Sequence, residues 1–360
     1  MKHYGFSNEF NMRTKINLLI AILFIFAINS FYAQGCDVEE PGASGSGTPN
    51  IKVFGFMQPQ FDYNLTDGDQ ANTFKFKRAR IGVTGKMANK FSYYFMLETS
   101  PFISGGDAYL MDAFITYEAS NWARISVGSF KQPFSLEVAT PCHGLTTIER
   151  SIVADQLVAP QRDYGLSLFG GNKYNKLNYA FAIMNGRGLK VSDDNTKKDF
   201  IGRVTYKLFD FLTVGGSFRY GYPIPNNNDD SRTTVGGEFL VSYNKFGLQG
   251  EYIYDKGAYF LGSGGGCGAE PIPLGEKRDG AYLMATYKVT EKFQPVFKYE
   301  FFDADLDIKN DADLYSERMT LGINYFFNDK VRFQLNYLAN IDTVINENND
   351  QILAQMQVRF

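Results

Sequence analysis

The chain has 360 residues, 44% of them hydrophobic and 21% charged, with a formal net charge of -3. Its 33 Phe and 23 Tyr stand against one Trp, and a mean hydropathy of -0.25 excludes a bundle of membrane helices, each of which needs about 20 apolar residues. The slight acidity argues against a nucleic-acid partner, and two His with three Cys exclude the usual multi-ligand zinc site.

The N-terminus reads as an export signal over residues 1–33. Arg13 and Lys15 precede the apolar run 18–28, which is too short to span a bilayer but suits a signal-peptide core. Cleavage is expected after Ala33, and Met12, directly before Arg13, is an alternative start. Ala33-Gln34-Gly35 lacks the aliphatic residue found three positions before a lipidated Cys, so Cys36 is not read as a lipid anchor. Residues 34–50 include Pro41-Gly42-Ala43-Ser44-Gly45-Ser46-Gly47, a composition that cannot bury a core and predicts a flexible periplasmic tether. Cys36, Cys142 and Cys267 are odd in number and do not form a disulfide framework.

From Ile51 to Phe360 the hydrophobic period is two, renewed about every ten residues. Phe293, Pro295, Phe297, Tyr299 and Phe301 alternate with Gln294, Val296, Lys298 and Glu300. Val331, Phe333, Leu335 and Tyr337 alternate with Arg332, Gln334 and Asn336. An apolar face of Tyr and Phe opposite a face of Arg, Lys, Glu and Gln suits a strand with lipid on one side and water on the other. The connections sort by length. Seven short ones carry or adjoin an aromatic (Phe91, Trp122, Tyr174, Phe209, Phe246, Phe293, Phe327), and eight long ones alternate with them, the longest running from Pro133 to Gln161. A soluble meander has no reason to sort its loops; a transmembrane barrel does, with short periplasmic turns and long outer loops. Eight long and seven short connections predict an all-β fold, a 16-stranded antiparallel transmembrane β-barrel over residues 51–360 with both ends in the periplasm.

The third long loop is too apolar to hang in solvent: Leu136, Val138, Leu145, Ile148, Ile152, Val153, Leu157 and Val158. It is expected to fold into the lumen, where Gly165, Ser167, Ala180 and Ala182 on the next two strands leave room. Thr146 and Glu149 have capping-box spacing, which predicts a helix over Thr147–Leu157.

Several segments resemble one family. Lys77-Arg78-Ala79-Arg80-Ile81-Gly82-Val83 is similar to the early Arg-x-Arg strand of the phosphate-selective porin O and P family. Val127-Gly128-Ser129-Phe130-Lys131-Gln132-Pro133-Phe134-Ser135 resembles its approach to loop three, and Thr147-Ile148-Glu149-Arg150-Ser151 with Arg162-Asp163-Tyr164-Gly165 resembles the loop's body and exit. The resemblance implies a trimeric sixteen-stranded porin of the bacterial outer membrane, often anion-preferring, with loop three narrowing the pore.

Alternation turns Arg78, Arg80, Arg203, Arg219, Lys298 and Arg318 inward as candidate selectivity residues, with Arg332 and Arg359 on the same face. Glu98, Asp112, Glu118, Glu238, Glu251 and Glu300 share that face. Two readings stay open for each: a basic stripe guiding anions, or an ion-pair lattice stiffening the wall. Arg78 and Arg80, with no carboxylate beside them in sequence, lead the selectivity candidates. Glu149, Arg150 and Arg162 are the candidate constriction-loop residues. The acidic outer loops (Asp193-Asp194, Asp229-Asp230, Asp303 to Asp313) read as a solvated face, with Ca²⁺ the alternative. No catalytic residues, metal or cofactor are expected: His143 and Cys142 are adjacent in one turn, whereas nucleophile and base usually come from separate elements. The expected function is passive diffusion of small hydrophilic solutes, anions such as phosphate among them; the alternative is a closed structural or adhesive barrel. Expected partners are outer-membrane lipid and the barrel assembly machinery, reached through the terminal Phe360.

Overall fold

A computed structural model describes residues 51–65, 72–87, 90–261, 271–308, 314–341 and 349–360. The leader, the tether, Cys36, Cys267, Asp311 and Asp313 lie outside the described residues. The first eight strands are β1 (Ile51–Asn64), β2 (Thr73–Met87), β3 (Phe91–Glu98), β4 (Tyr109–Ser120), β5 (Ala123–Lys131), β6 (Arg162–Gly170), β7 (Leu177–Met184) and β8 (Asp199–Phe209). The second eight are β9 (Leu212–Gly221), β10 (Arg232–Tyr243), β11 (Phe246–Gly257), β12 (Lys277–Tyr287), β13 (Phe293–Asp303), β14 (Tyr315–Phe326), β15 (Val331–Ile341) and β16 (Gln351–Arg359). Each pairs antiparallel with its neighbours in sequence, and β1 pairs with β16 to close the barrel.

The two faces of the wall follow the alternation. On β15 the side chains of Arg332, Gln334, Asn336 and Leu338 are buried toward the lumen, while Phe333, Leu335 and Tyr337 point the other way. All seven aromatics of the short turns are exposed, as a girdle at one membrane face requires. At the seam Phe360 N donates to Gly55 O at 3.0 Å and Gly55 N donates to Phe360 O at 3.2 Å, so the last residue is stitched into the first strand.

Among the described residues the pairing register shifts at four places, and the shift between β1 and β2 re-aims a cluster of charges. Between Gln58 and Pro59 the β1–β2 register shifts, so Gln58 faces Arg78 while Pro59 faces Phe76 and Lys77 is the extra residue. A bulge of this kind re-aims the side chains that follow it. Lys75 therefore lies opposite the luminal Gln60, and Arg78 and Arg80 keep the luminal face as well, although period two would put the lysines and the arginines on opposite faces. Phe74 and Phe76 are exposed on the outer wall instead.

The apolar core is not in the wall but in the lumen. Phe134, Val138, Val153, Ala154, Leu157 and Val158 from loop three pack on Ala182, Met184, Ile201, Ile253, Tyr282, Met284, Val296 and Phe302 from the wall. At roughly 1.5–3 kcal/mol for each large apolar side chain buried, the loop is a packed part of the fold. It contains two short helices, α1 (Leu136–Ala139) and α2 (Ile152–Leu157). The second starts five residues later than the capping-box spacing predicts. Its cap is Ser151, whose Oγ accepts from Ala154 N at 3.4 Å. The expected box does not form because its members are engaged elsewhere: Glu149 pairs with Lys77 at 2.6 Å, and Thr146 O accepts from Asn324 Nδ2 at 3.0 Å and Gln334 Nε2 at 3.1 Å.

Candidate functional site: the loop-three eyelet

Loop three leaves β5, crosses the lumen and returns at β6, fastened at four places. Wall carboxylates hold the start of each helix: Glu251 accepts from Ser135 Oγ at 2.9 Å and Leu136 N at 3.1 Å, and Glu300 accepts from Ile152 N at 2.8 Å. Ser135, at a positive φ of 68°, is kept there by Glu251 and by Ser217 Oγ, which accepts from its N at 3.2 Å. At the far end Arg219 and Arg232 each donate at 2.8 Å to Leu157 O, the last turn of α2. Arg232 is paired with Asp255 at 2.8 Å, and Asp255 also pairs with Arg278. The stretch between the helices hangs from a row of wall amides. Asn324 Nδ2 and Gln334 Nε2 donate to Thr146 O at 3.0 and 3.1 Å, and Gln357 Nε2 donates to His143 O at 3.1 Å.

Charged side chains gather where this strap passes the β2 bulge. Lys77 Nζ lies 2.6 Å from Glu149 Oε1, and Lys298 Nζ donates to Glu149 O at 3.3 Å. Burial alone would raise the Glu149 carboxyl, but Lys77, Arg78 and Lys75 pull it down to about 2, so it stays ionised. Glu300 lies 3.6 Å from Lys298 Nζ and 3.7 Å from Arg318 Nη1. Lys75 pairs with Asp62. Lys75, Lys77 and Arg318 keep partial exposure, whereas Arg78 and Lys298 are buried beneath the loop. Counted over these contacts, five cations stand against three carboxylates.

The sequence candidates fall into separate groups. Arg78, Lys298, Arg318 and Glu149 meet at the eyelet; Arg78 Nη1 also donates to Gln58 Oε1 at 3.0 Å. Arg80 lies beside them; no carboxylate adjoins it in sequence, but Glu98, from the adjacent strand, pairs with its Nε at 2.7 Å. Sequence neighbours are not spatial neighbours in a sheet. Arg203 pairs with Glu238, the cross-strand neighbour of the loop anchor Glu251. Arg219 belongs to the clamp on α2. Arg162 makes a two-pronged bond to Asp112, Nε–Oδ1 2.9 Å and Nη2–Oδ2 3.3 Å, where loop three rejoins the wall. Arg150 is tied to the loop's own carbonyls, with Nε 2.9 Å from Glu137 O and Nη2 3.2 Å from Thr140 O. Lys75 and Lys77 were missed by alternation. Their signal is the run Lys75-Phe76-Lys77-Arg78, in which strict period two would put a charge into lipid at a cost of about 2–4 kcal/mol near mid-membrane.

His143 and Cys142 lie in a 3₁₀ turn at the strap, and the ring of His143 meets Phe56 edge-on at 5.3 Å. Burial and the nearby Arg359 push its imidazole down to about 4, so it is neutral. In the outer loops Asp194 pairs with Arg187 at 3.1 Å and Asp307 with Lys277 at 2.9 Å. Among the described residues no group of three or more His, Cys, Asp or Glu is placed to hold a metal.

A closed sixteen-stranded barrel with a lipid-facing apolar wall, a polar lumen and an inserted loop defines the class of outer-membrane diffusion channels. The phosphate-selective porin O and P family matches residues 51–232 and 223–360, and the chain belongs to it. It is a passive-diffusion porin of the bacterial outer membrane. Among solved structures it is similar to OmpF of Salmonella typhi in complex with daunomycin, with 12% identity and a TM-score of 0.64 over 86% of this chain and 97% of that one. OmpT of Vibrio cholerae, expressed in the outer membrane, gives 12% identity and 0.63 over 88% and 99%. The outer-membrane channel DcaP of Acinetobacter baumannii gives 10% and 0.57 over 89% and 99%. No curated protein matches the chain.

Proposed function

We propose that this porin prefers small anions, phosphate among them, and that loop three sets the preference at the eyelet. The observation that carries the reading is the surplus of Lys75, Lys77, Arg78, Lys298 and Arg318 over Asp62, Glu149 and Glu300 at the narrowing. A charged solute forced through a water-poor constriction meets these fixed charges at short range, where they are weakly screened. The acidic outer loops oppose anion approach less than their composition suggests, because Asp193, Asp194 and Asp307 are paired with Lys198, Arg187 and Lys277. The lumen acts by positioning charge and performs no catalysis. A homotrimer is supported by the family and by the trimer form of the similar OmpT. The stitched, outward-facing Phe360 suits recognition by the barrel assembly machinery, and outer-membrane lipid is the partner of the apolar wall.

A planar-bilayer recording in a KCl gradient tests the selectivity. The reversal potential of the native protein is expected on the anion side. Lys75→Gln with Arg318→Gln should move it toward cations, and the shift should shrink at 1 M salt, where the screening length is about 3 Å. A cation-side reversal in the native protein refutes the anion reading.

A further inference from the structure

We propose that Glu149 is a tethered stand-in for a permeating oxyanion: its carboxylate occupies an oxyanion-binding subsite formed by Lys77 with Lys75 and Arg78, and so keeps that subsite from binding solute tightly. The inference deepens the reading of the pore as anion-preferring and concerns how firmly it holds its solute.

The first support is position. Lys77 reaches the lumen only through the β2 bulge, and its Nζ meets Glu149 Oε1 at 2.6 Å. The Glu149 side chain is 24% exposed and that of Lys77 is 14% exposed, so the pair borders the aqueous lumen and is not sealed in the wall. The second support is electrostatic. Three separate cations of one strand act on this single carboxyl and hold it ionised against the effect of burial. A carboxylate oxygen and a phosphate oxygen accept from ammonium and guanidinium donors in the same way, so what suits Glu149 suits a small oxyanion. The third support is that the loop does not need the Glu149 carboxylate as an anchor. Glu251, Glu300, the arginine clamp and the wall amides fasten it, and Lys298 holds Glu149 through its backbone carbonyl. Because the carboxylate is tethered, its local concentration far exceeds that of a free solute, and it wins the competition at ordinary phosphate levels.

The test is the current through the native porin and through Glu149→Gln, recorded in KCl as inorganic phosphate is added. The amide keeps the shape and removes the charge. The native pore is expected to show weak block. Glu149→Gln should be blocked by phosphate at a concentration about tenfold lower, the order of effect expected when one neighbouring charge is removed from a partly buried site. Adding Lys77→Gln to Glu149→Gln should abolish the gained block. Unchanged phosphate block in Glu149→Gln overturns the proposal. So does a large rise in conductance without added block, which would mark Glu149 as a strut. The sign of the native reversal potential is read separately: a cation-side value refutes the anion preference, while a gain of phosphate block in Glu149→Gln still supports the subsite.

Discussion

Arg80 and Glu98 show how a luminal charge is spent on the wall. Their side chains are 4% and 5% exposed, and Glu98 also accepts from Ala79 N at 3.0 Å. Removing one partner of such a pair strands a buried charge, at a cost of about 3–5 kcal/mol. Arg80→Ala should therefore lower stability by roughly that amount, and Glu98→Gln in the same chain should restore most of it. Urea unfolding in detergent measures both; equal losses in the single and double variants would mean the two groups are not coupled. The consequence for selectivity is direct. The arginine pair that looked alike in sequence divides into an ion pair with Glu98 at Arg80 and a cation bonded to Gln58 at Arg78.

Loop three carries a buried carboxyl whose titration bears on stability. Asp155 on α2 is pushed from the ordinary 3.8 up to about 7, first by burial and then by Glu149 and Glu137, against the pull of Arg150. Gln161 Nε2 donates to its Oδ1 at 3.0 Å. A folded-state value above the unfolded one means the proton stabilises the fold. That contribution is fully present below about pH 4 and is lost as pH rises through about 7. Asp155→Asn should leave stability near pH 4 little changed, raise it at pH 8 and flatten the slope between, as followed by thermal unfolding at each pH. A variant as pH-sensitive as the native protein would move the titration elsewhere. The lumenal packing of this element was legible from its apolar residues and from the small side chains opposite. Its helix boundary was not, because Lys77 and Asn324, both distant in sequence, engage Glu149 and Thr146, the two members of the local capping box.

For the whole molecule the decisive join is the β1–β16 seam. A Cβ on Gly55 would lie 2.6 Å from the Phe360 ring and 2.6 Å from Arg80 O, so only glycine lets the terminal aromatic lie across the first strand. Gly55→Val is expected to displace Phe360 and weaken closure by about 1–3 kcal/mol, the usual scale of an overpacking strain. The readout is the temperature at which the folded band converts to the unfolded one in a detergent gel; no change would show that the seam tolerates the ring elsewhere.

The strand number, the two faces of the wall and the sorting of long and short connections were determined by the sequence alone. Each follows from a local rule, because the two-residue period belongs to the extended backbone itself and lipid penalises any violation of it. Which charges meet was decided only in the tertiary structure. Lys77 and Glu149 are 72 positions apart, and Arg219 reaches Leu157 across 62. One inserted residue in β2 turns two lysines from the expected lipid face to the lumen, and closing the barrel brings β13 and β14 to the loop opposite them. Local periodicity has no term for a register shift or for a partner on another strand. The fold could therefore be read along the chain, and the eyelet only across it.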